Sequence, residues 1–418
     1  MREDIAVIES PSGAFAMLPE FVQGPVAYLL VKVASRCNID CSYCYWFRDK
    51  SVYAKPKLMS SGVFTQLLKR IEEQITRFSL PEFSILLHGG EPLLWGVDNF
   101  QFFAEECRAI SARTSCKFEL SVTTNGLLID DAWLDCFERY GFHVTVSIDG
   151  PAHIHDIHRR TFQNGPTHAL VEGAIRRLQG RGVSIGVLAV CNPAYQPKEF
   201  LDYFAAMEID SFDIMLPDAT HEDNPPRVAQ FYCDLFDLWL AANRDRKTIN
   251  IRSTENMVAG LLGGSSTSEE IGYGPQEVCT ILSDGAMEPL DVLRITGDGA
   301  TNTNFDIFNN NIEDIKIEPR WKTAREASLN LSEKCKKCPF VEPCGGGYLP
   351  HRYSKKNGYN NPSAFCDDLF AIFTHMQSAL EKHVYIKRSS GDKIGIGEAI
   401  AVEQQSQPQQ PLNRLHAR

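Results

Sequence analysis

Six times between residues 26 and 245, an apolar run of strand length is followed by a segment of helical period. The runs are VAYLLVKVAS (26–35), FSILLHGGEP (83–92), KFELSVTTNG (117–126), HVTVSIDG (143–150), VSIGVLAVCN (183–192) and SFDIMLPDAT (211–220). A strand that is apolar along nearly its whole length is buried on both faces, and helices between such strands make the sheet parallel. This predicts an α/β fold, a partial (β/α)6 barrel open on one side. A doubly wound open sheet is the alternative, because the pattern does not itself close a sheet. The runs end in polar or glycine-rich residues, GGEP, TTNG, SIDG and LPDAT among them. In parallel α/β architectures that edge carries the chemistry.

The repeat divides the chain into an N-terminal segment (1–25), the barrel (26–250), a cysteine-containing region of little helical periodicity (251–388) and a C-terminal tail (389–418). Within the third part, SAFCDDLFAIFTHMQSALEKHVYI (363–386) reads as an amphipathic helix; the tail, with EQQSQPQQP, lacks core-forming residues. The formal charge of -11 argues against a broad grip on nucleic acid or an anionic membrane. No basic-then-apolar signal segment opens the chain, and no run approaches the roughly 18 apolar residues of a membrane span. The thirteen cysteines are clustered, which in a cytoplasmic setting reads as thiols and metal ligands, not disulfides.

Three of them, Cys37, Cys41 and Cys44, fall within RCNIDCSYCYW (36–46). A disulfide wants two thiols and a closed zinc site four. A [4Fe–4S] cubane held by three thiolates leaves one iron open to a small molecule, and one short loop of C-x3-C-x2-C spacing wraps three irons. A zinc ion borrowing a distant ligand such as His88, or incidental thiols, are the competing readings. A second set, Cys335, Cys338 and Cys344 in CKKCPFVEPC followed by Cys366, supplies four thiolates. Its spacing suits a closed cluster and a structural zinc equally. His153, His155 and His158 lie in a loop at uneven spacing, which reads as solvated or supporting side chains.

The three-cysteine loop, with Tyr43 before its third cysteine and the first of six β-α units before it, resembles the signature of the radical S-adenosylmethionine (radical SAM) enzymes. The resemblance covers residues 25–245 and implies the same partial barrel. It implies that the open iron chelates the amino and carboxylate groups of S-adenosylmethionine. An electron from a flavodoxin- or ferredoxin-type donor then cleaves the cofactor to a 5′-deoxyadenosyl radical. Carried over position by position, Tyr43 belongs to the cluster loop, and Gly89, Gly90 and Glu91 of GGEP meet the cofactor's ammonium. Ser147 and Arg159 fall where related enzymes bind its ribose and carboxylate, a guanidinium fork suiting the latter. Asn125 is a further candidate that equally suits a turn, and Leu188 would pack on the adenine or simply fill the core.

Beside such a barrel, the four-cysteine set resembles the SPASM domain, whose auxiliary [4Fe–4S] clusters serve peptide- and protein-modifying enzymes. The fullest form of that domain has seven cysteines and two clusters. Here Leu290 and Tyr348 stand where two of those thiols belong, so one auxiliary cluster is expected, at Cys335, Cys338, Cys344 and Cys366. Cys279 is left between a ligand and a core residue. Asp291 follows Leu290 where related enzymes place a general base, and Asp218, with His221, ends the sixth strand as a second candidate. LPDATHEDNPP and the C-terminal half resemble maturases that crosslink an aromatic ring to an sp3 carbon of a ribosomal precursor peptide, forming a cyclophane. The 36 residues before Cys37 are too few for the winged peptide-recognition domain of some maturases. An anaerobic sulfatase-maturase-like enzyme oxidising Cys or Ser, and a non-catalytic iron–sulfur electron-transfer protein, are the rivals.

Overall fold

The computed structural model describes residues 24–244, 249–264, 266 and 268–388, with side chains described as far as residue 381. The N-terminal segment, but for its last two residues, and the tail 389–418 lie outside the described residues.

Six strands, Tyr28–Ala34, Glu82–Gly89, Lys117–Thr124, His143–Ser147, Ile185–Val190 and Ser211–Met215, lie side by side in chain order. Every neighbouring pair is parallel. Helices Ser61–Phe78, Val97–Thr114, Asp131–Tyr140, His168–Gly180 and Pro197–Ala206 connect them, and Ala229–Arg244 follows the sixth. Local chemistry sets where these helices start. Ser60 accepts the Val63 N–H and Asp130 the Trp133 N–H, each satisfying a donor that the first turn leaves unpaired.

Alternation along the first strand sends Leu29, Val31 and Val33 into the large core shared with the helices. Leu30 points the other way, into a small cluster with Leu86 and Leu188, packed against Tyr28 and Met215. That cluster decides between the two sheet geometries. Strands one and five are four places apart, about 19 Å in a flat sheet at the usual strand spacing. Their side chains meet, so the sheet is curled and the expected barrel forms.

The sheet does not stop at six strands. Cys279–Ile281 adds parallel to the outer edge of the first strand, with Leu29 opposite Cys279, and Met287–Glu288 folds back antiparallel on it. Asn250–Ile251 pairs with the sixth strand. Sequence beyond residue 250 is thereby built into the barrel's own sheet. Cys279 is fully buried in the core. The long helix Cys366–Arg388 runs where the sequence placed it. It docks on the last barrel helix, where Asp368 accepts the Val228 and Ala229 N–H groups at 3.0 Å each. Among the described residues no helix is long and apolar enough to cross a membrane.

Candidate active site

Cys37, Cys41 and Cys44 follow the first strand and line one cavity of about 130 Å³ at the C-terminal ends of the strands. Tyr43 of the same loop lines this cavity too, with Gly89, Gly90, Asn125, Ser147, Arg159, Leu188 and Asp218 brought there from six further chain segments. The loop is braced by a short strand, Ile39–Cys41, antiparallel to Arg159–Thr161. Burial pushes all three thiols up, Cys41 to about 12, so bound metal charge is what would hold them as thiolates. A cubane spreads its thiolates more widely than one ion does. Among the described residues no group of three His, Cys, Asp or Glu is arranged for a single metal ion. Thr123 Oγ1, buried and without a hydrogen-bond partner, also lines the cavity and suits a polar ligand. The residues present fit an iron–sulfur cluster with a small polar cofactor on it.

The GGEP turn is glycine for a steric reason. A Cβ on Gly90 would lie 2.4 Å from the Arg36 carbonyl oxygen, and one on Gly89 2.2 Å from that of Ala34. The turn therefore packs backbone to backbone against the loop that carries the cysteines, with Gly90 N–H donating to Ala34 O and Glu91 N–H to Arg36 O. Glu91 faces away from the two glycines' cavity. Its carboxylate is outside the cavity lining and accepts the Leu93 and Asn125 N–H groups and the Thr124 hydroxyl. Burial raises it to about 7 in spite of those donors. It ties the second strand's turn to the third strand, and no cofactor contact is needed to explain it.

Asn125 closes a turn and also lines the cavity. Its Oδ1 accepts the Leu127 N–H, closing a turn, while its Nδ2 donates to Asn38 at 2.7 Å beside Cys37. Arg159 reaches the cavity by way of a residue the sequence reading passed over. Asp149, buried within SIDG, accepts Arg159 Nε at 3.1 Å, the Val190 N–H at 3.0 Å and the Tyr43 hydroxyl. The guanidinium lies over the Tyr43 ring, 5.4 Å from its centre. SIDG reads as a turn, and nothing in it signals that its carboxylate points inward. The three histidines scatter: His153 pairs with Glu199, His155 is buried against Thr167, and His158 meets Ser42.

Asp291 stands one side chain back from the cavity. It lies outside the cavity lining, 2 % exposed, at the start of the short helix Asp291–Thr296 that follows the hairpin extending the sheet. Lys32 of the first strand holds it at 2.5 Å, and the Tyr45 hydroxyl donates to it at 2.6 Å. Tyr45 and His88, which do line the cavity, stand between it and the ligand space. Burial opposes its charge, yet the Lys32 ammonium, then His88, and the two hydrogen bonds keep its carboxyl well below the ordinary range. Asp218 lines the cavity directly.

The second cysteine set gathers around a cavity of its own. Cys335, Cys338, Cys344 and Cys366 line a cavity of about 270 Å³ walled by Phe340, Phe370 and Phe373. Leu290 and Tyr348 are brought together too, buried in one apolar cluster with Val292, Leu293 and Leu349. Where a second set of thiols would converge, the chain has packed hydrocarbon.

Residues 31–207 match the model of the Radical SAM superfamily. The cysteine-type anaerobic sulfatase-maturating enzyme of Clostridium perfringens (strain 13 / Type A) is 25% identical over 84% of this chain and 96% of its own length. A solved structure described as native anSMEcpe with bound AdoMet and Cp18Cys peptide superposes with a TM-score of 0.75 at 23% identity, covering 87% of this chain and 99% of that one. Streptococcus suis SuiB bound to precursor peptide SuiA gives 0.56 at 13% identity, over 81% of this chain and 75% of that one. Enzymes of the matched family use a [4Fe–4S] cluster and S-adenosylmethionine. Residues 31–207 thus carry a Radical SAM domain, and the chain is an enzyme similar to the peptide- and protein-modifying proteins that contain one.

Proposed function

We propose that the chain is a peptide maturase that crosslinks an aromatic ring to an sp3 carbon within a ribosomal precursor peptide. Cys37, Cys41 and Cys44 would hold the cluster that carries S-adenosylmethionine, and Cys335, Cys338, Cys344 and Cys366 one auxiliary [4Fe–4S] cluster. When bound, these groups supply a 5′-deoxyadenosyl radical at the first site and an electron acceptor at the second. Gly89 and Gly90 offer backbone to the cofactor's ammonium, Arg159 its guanidinium to the carboxylate, Ser147 a hydroxyl to the ribose and Leu188 a wall to the adenine. Closing such a crosslink removes two hydrogens from the peptide, the second as a proton and an electron. Asp218 at the cavity wall, or Asp291 behind Tyr45, is placed to take that proton at a carboxylate oxygen.

The observation that carries this reading is the apolar filling around Leu290 and Tyr348. It leaves a single four-thiol set, in line with the resemblance to cyclophane-forming maturases. The names of the relatives favour a second reading, oxidation of a Cys or Ser in a protein substrate. A pure electron carrier has no use for the lined cavity.

The test is an anaerobic assay with S-adenosylmethionine, a reductant and two kinds of peptide. One is an aromatic-rich peptide encoded beside the gene; the other is a sulfatase-type Cys or Ser peptide. Product lighter by two hydrogens, whose crosslinked residues stay joined on fragmentation, is expected from the first. An aldehyde that reacts with hydrazide, formed only from the second, would establish the alternative instead.

A further inference from the structure

Lys32 is the charged residue of this site that neither motif accounts for. It stands on the first strand two places after Leu30, hence on the same inward face, and its side chain is 1% exposed. A buried lysine is costly unless its donors are used. Its ammonium has three donors and three partners: Asp291 Oδ2 at 2.5 Å, Tyr45 Oη at 2.7 Å and His88 Nδ1 at 3.1 Å. The indole of Trp46 lies 5.0 Å away. Those partners come from the short helix Asp291–Thr296 after the hairpin, the cysteine loop's helix and the GGEP strand. One ammonium thus joins the three segments that meet beneath the cavity.

We propose that Lys32 is a positioning residue whose ammonium keeps Asp291 a carboxylate, and keeps it aimed at the floor of the cavity. Among the described residues Lys32 is the one cation in contact with the Asp291 side chain. Arg294 is near in sequence, but its guanidinium is taken by Asp49 at 2.9 Å and Glu288 at 2.5 Å, and only its Nε reaches the Asp291 backbone carbonyl. The other groups facing Asp291 are the hydroxyl of Tyr45, the ring of His88, and, farther off, Tyr28 and Glu288. Of these, His88 favours the carboxylate second to Lys32, and Glu288 opposes it; the contact charge is that of Lys32. Without Lys32, burial would dominate and the proton would stay on Asp291 near neutral pH. The use of that carboxylate as proton acceptor rests on the crosslinking reading; its charge does not.

The test reads the carboxylate directly. Infrared difference spectra of anaerobic, cluster-loaded protein labelled with 13C-aspartate would be recorded between pH 6 and 9. Asp291 is assigned by the band that Asp291→Asn removes. Wild type is expected to show Asp291 as carboxylate throughout. Lys32→Met is expected to show a protonated carboxyl band at pH 6 that disappears as pH rises. Its crosslinked product should also fall about tenfold per pH unit on the acid side, the loss expected as a base is protonated. A protonated Asp291 in wild type at pH 6 would overturn the proposal, and requires no variant to fold. So would an Asp291 that stays ionised at pH 6 in Lys32→Met. The double variant Lys32→Met/Asp291→Asn, with neither charge, checks by its iron content that the site still assembles. A protonated Asp291 with unimpaired crosslinking would uphold Lys32's role and remove Asp291 as the acceptor, leaving Asp218.

Discussion

Arg159 and Asp149 show how one buried charge serves two ends. Asp149 holds the cluster loop through Tyr43 and the fifth strand through the Val190 N–H, and with the oxygen it gives Tyr43 it also orients the guanidinium. A cofactor carboxylate would then be the second anion on an arginine already fixed in place, so little rotamer entropy is lost on binding. Arg159→Ala should weaken S-adenosylmethionine binding by about 1.5–3 kcal/mol, the worth of a charge-assisted hydrogen bond. Equilibrium dialysis of the anaerobic, iron-loaded protein measures it, and unchanged affinity would leave Arg159 a brace for the loop. At this scale the sequence shows residue types that carry chemistry but not which way they face. Cys37, Cys41 and Cys44 were legible because spacing alone implies a joint ligand. Asp149 and Lys32 were not, because a lone Asp in a turn and a lone Lys in a strand have no spacing to read. The surroundings of Glu91 were illegible for the same reason: GGEP marks the turn, while two of the three donors to its carboxylate, Thr124 and Asn125, arrive by tertiary packing.

Elements long enough to show a period were legible, and the six barrel strands with their helices are those. The strands Cys279–Ile281 and Met287–Glu288 have three and two residues, too few to display alternation. They form because the first strand offers an unpaired edge, which is a tertiary fact. The loop after Cys344 is another element whose role emerges only in space. Gly345 has φ +60, and a Cβ there would lie 1.9 Å from the Gly272 carbonyl oxygen. An alanine meets both the left-handed penalty of about 1–2 kcal/mol and a backbone clash that cannot be relieved by a rotamer change. Gly345→Ala should therefore displace the segment that presents Cys344. The expected result is loss of the iron held at Cys335, Cys338, Cys344 and Cys366, with the iron at the first loop retained. Iron analysis with electron paramagnetic resonance of the reduced protein separates the two; full iron content would show that the loop has other room to move.

At the scale of the whole molecule, the two cysteine sets sit in one body joined through a shared sheet, not in two bodies on a linker. Removing either set should leave the other loaded, since each is held by its own loops: the first between the first strand and Arg159–Thr161, the second between Glu333–Lys336, Val341–Cys344 and Cys366. Anaerobically reconstituted protein is expected to carry two [4Fe–4S] clusters, roughly eight irons. Replacing Cys37, Cys41 and Cys44 together by Ala should abolish S-adenosylmethionine cleavage and leave about half that iron. Replacing Cys335, Cys338, Cys344 and Cys366 should leave the other half, with cleavage retained and crosslinking lost. No third cluster is expected, because Leu290 and Tyr348 are packed side chains that are 2% and 1% exposed. Zinc at the four-cysteine set in protein purified without oxygen would contradict the auxiliary cluster. An iron content near twelve would contradict the apolar filling as well.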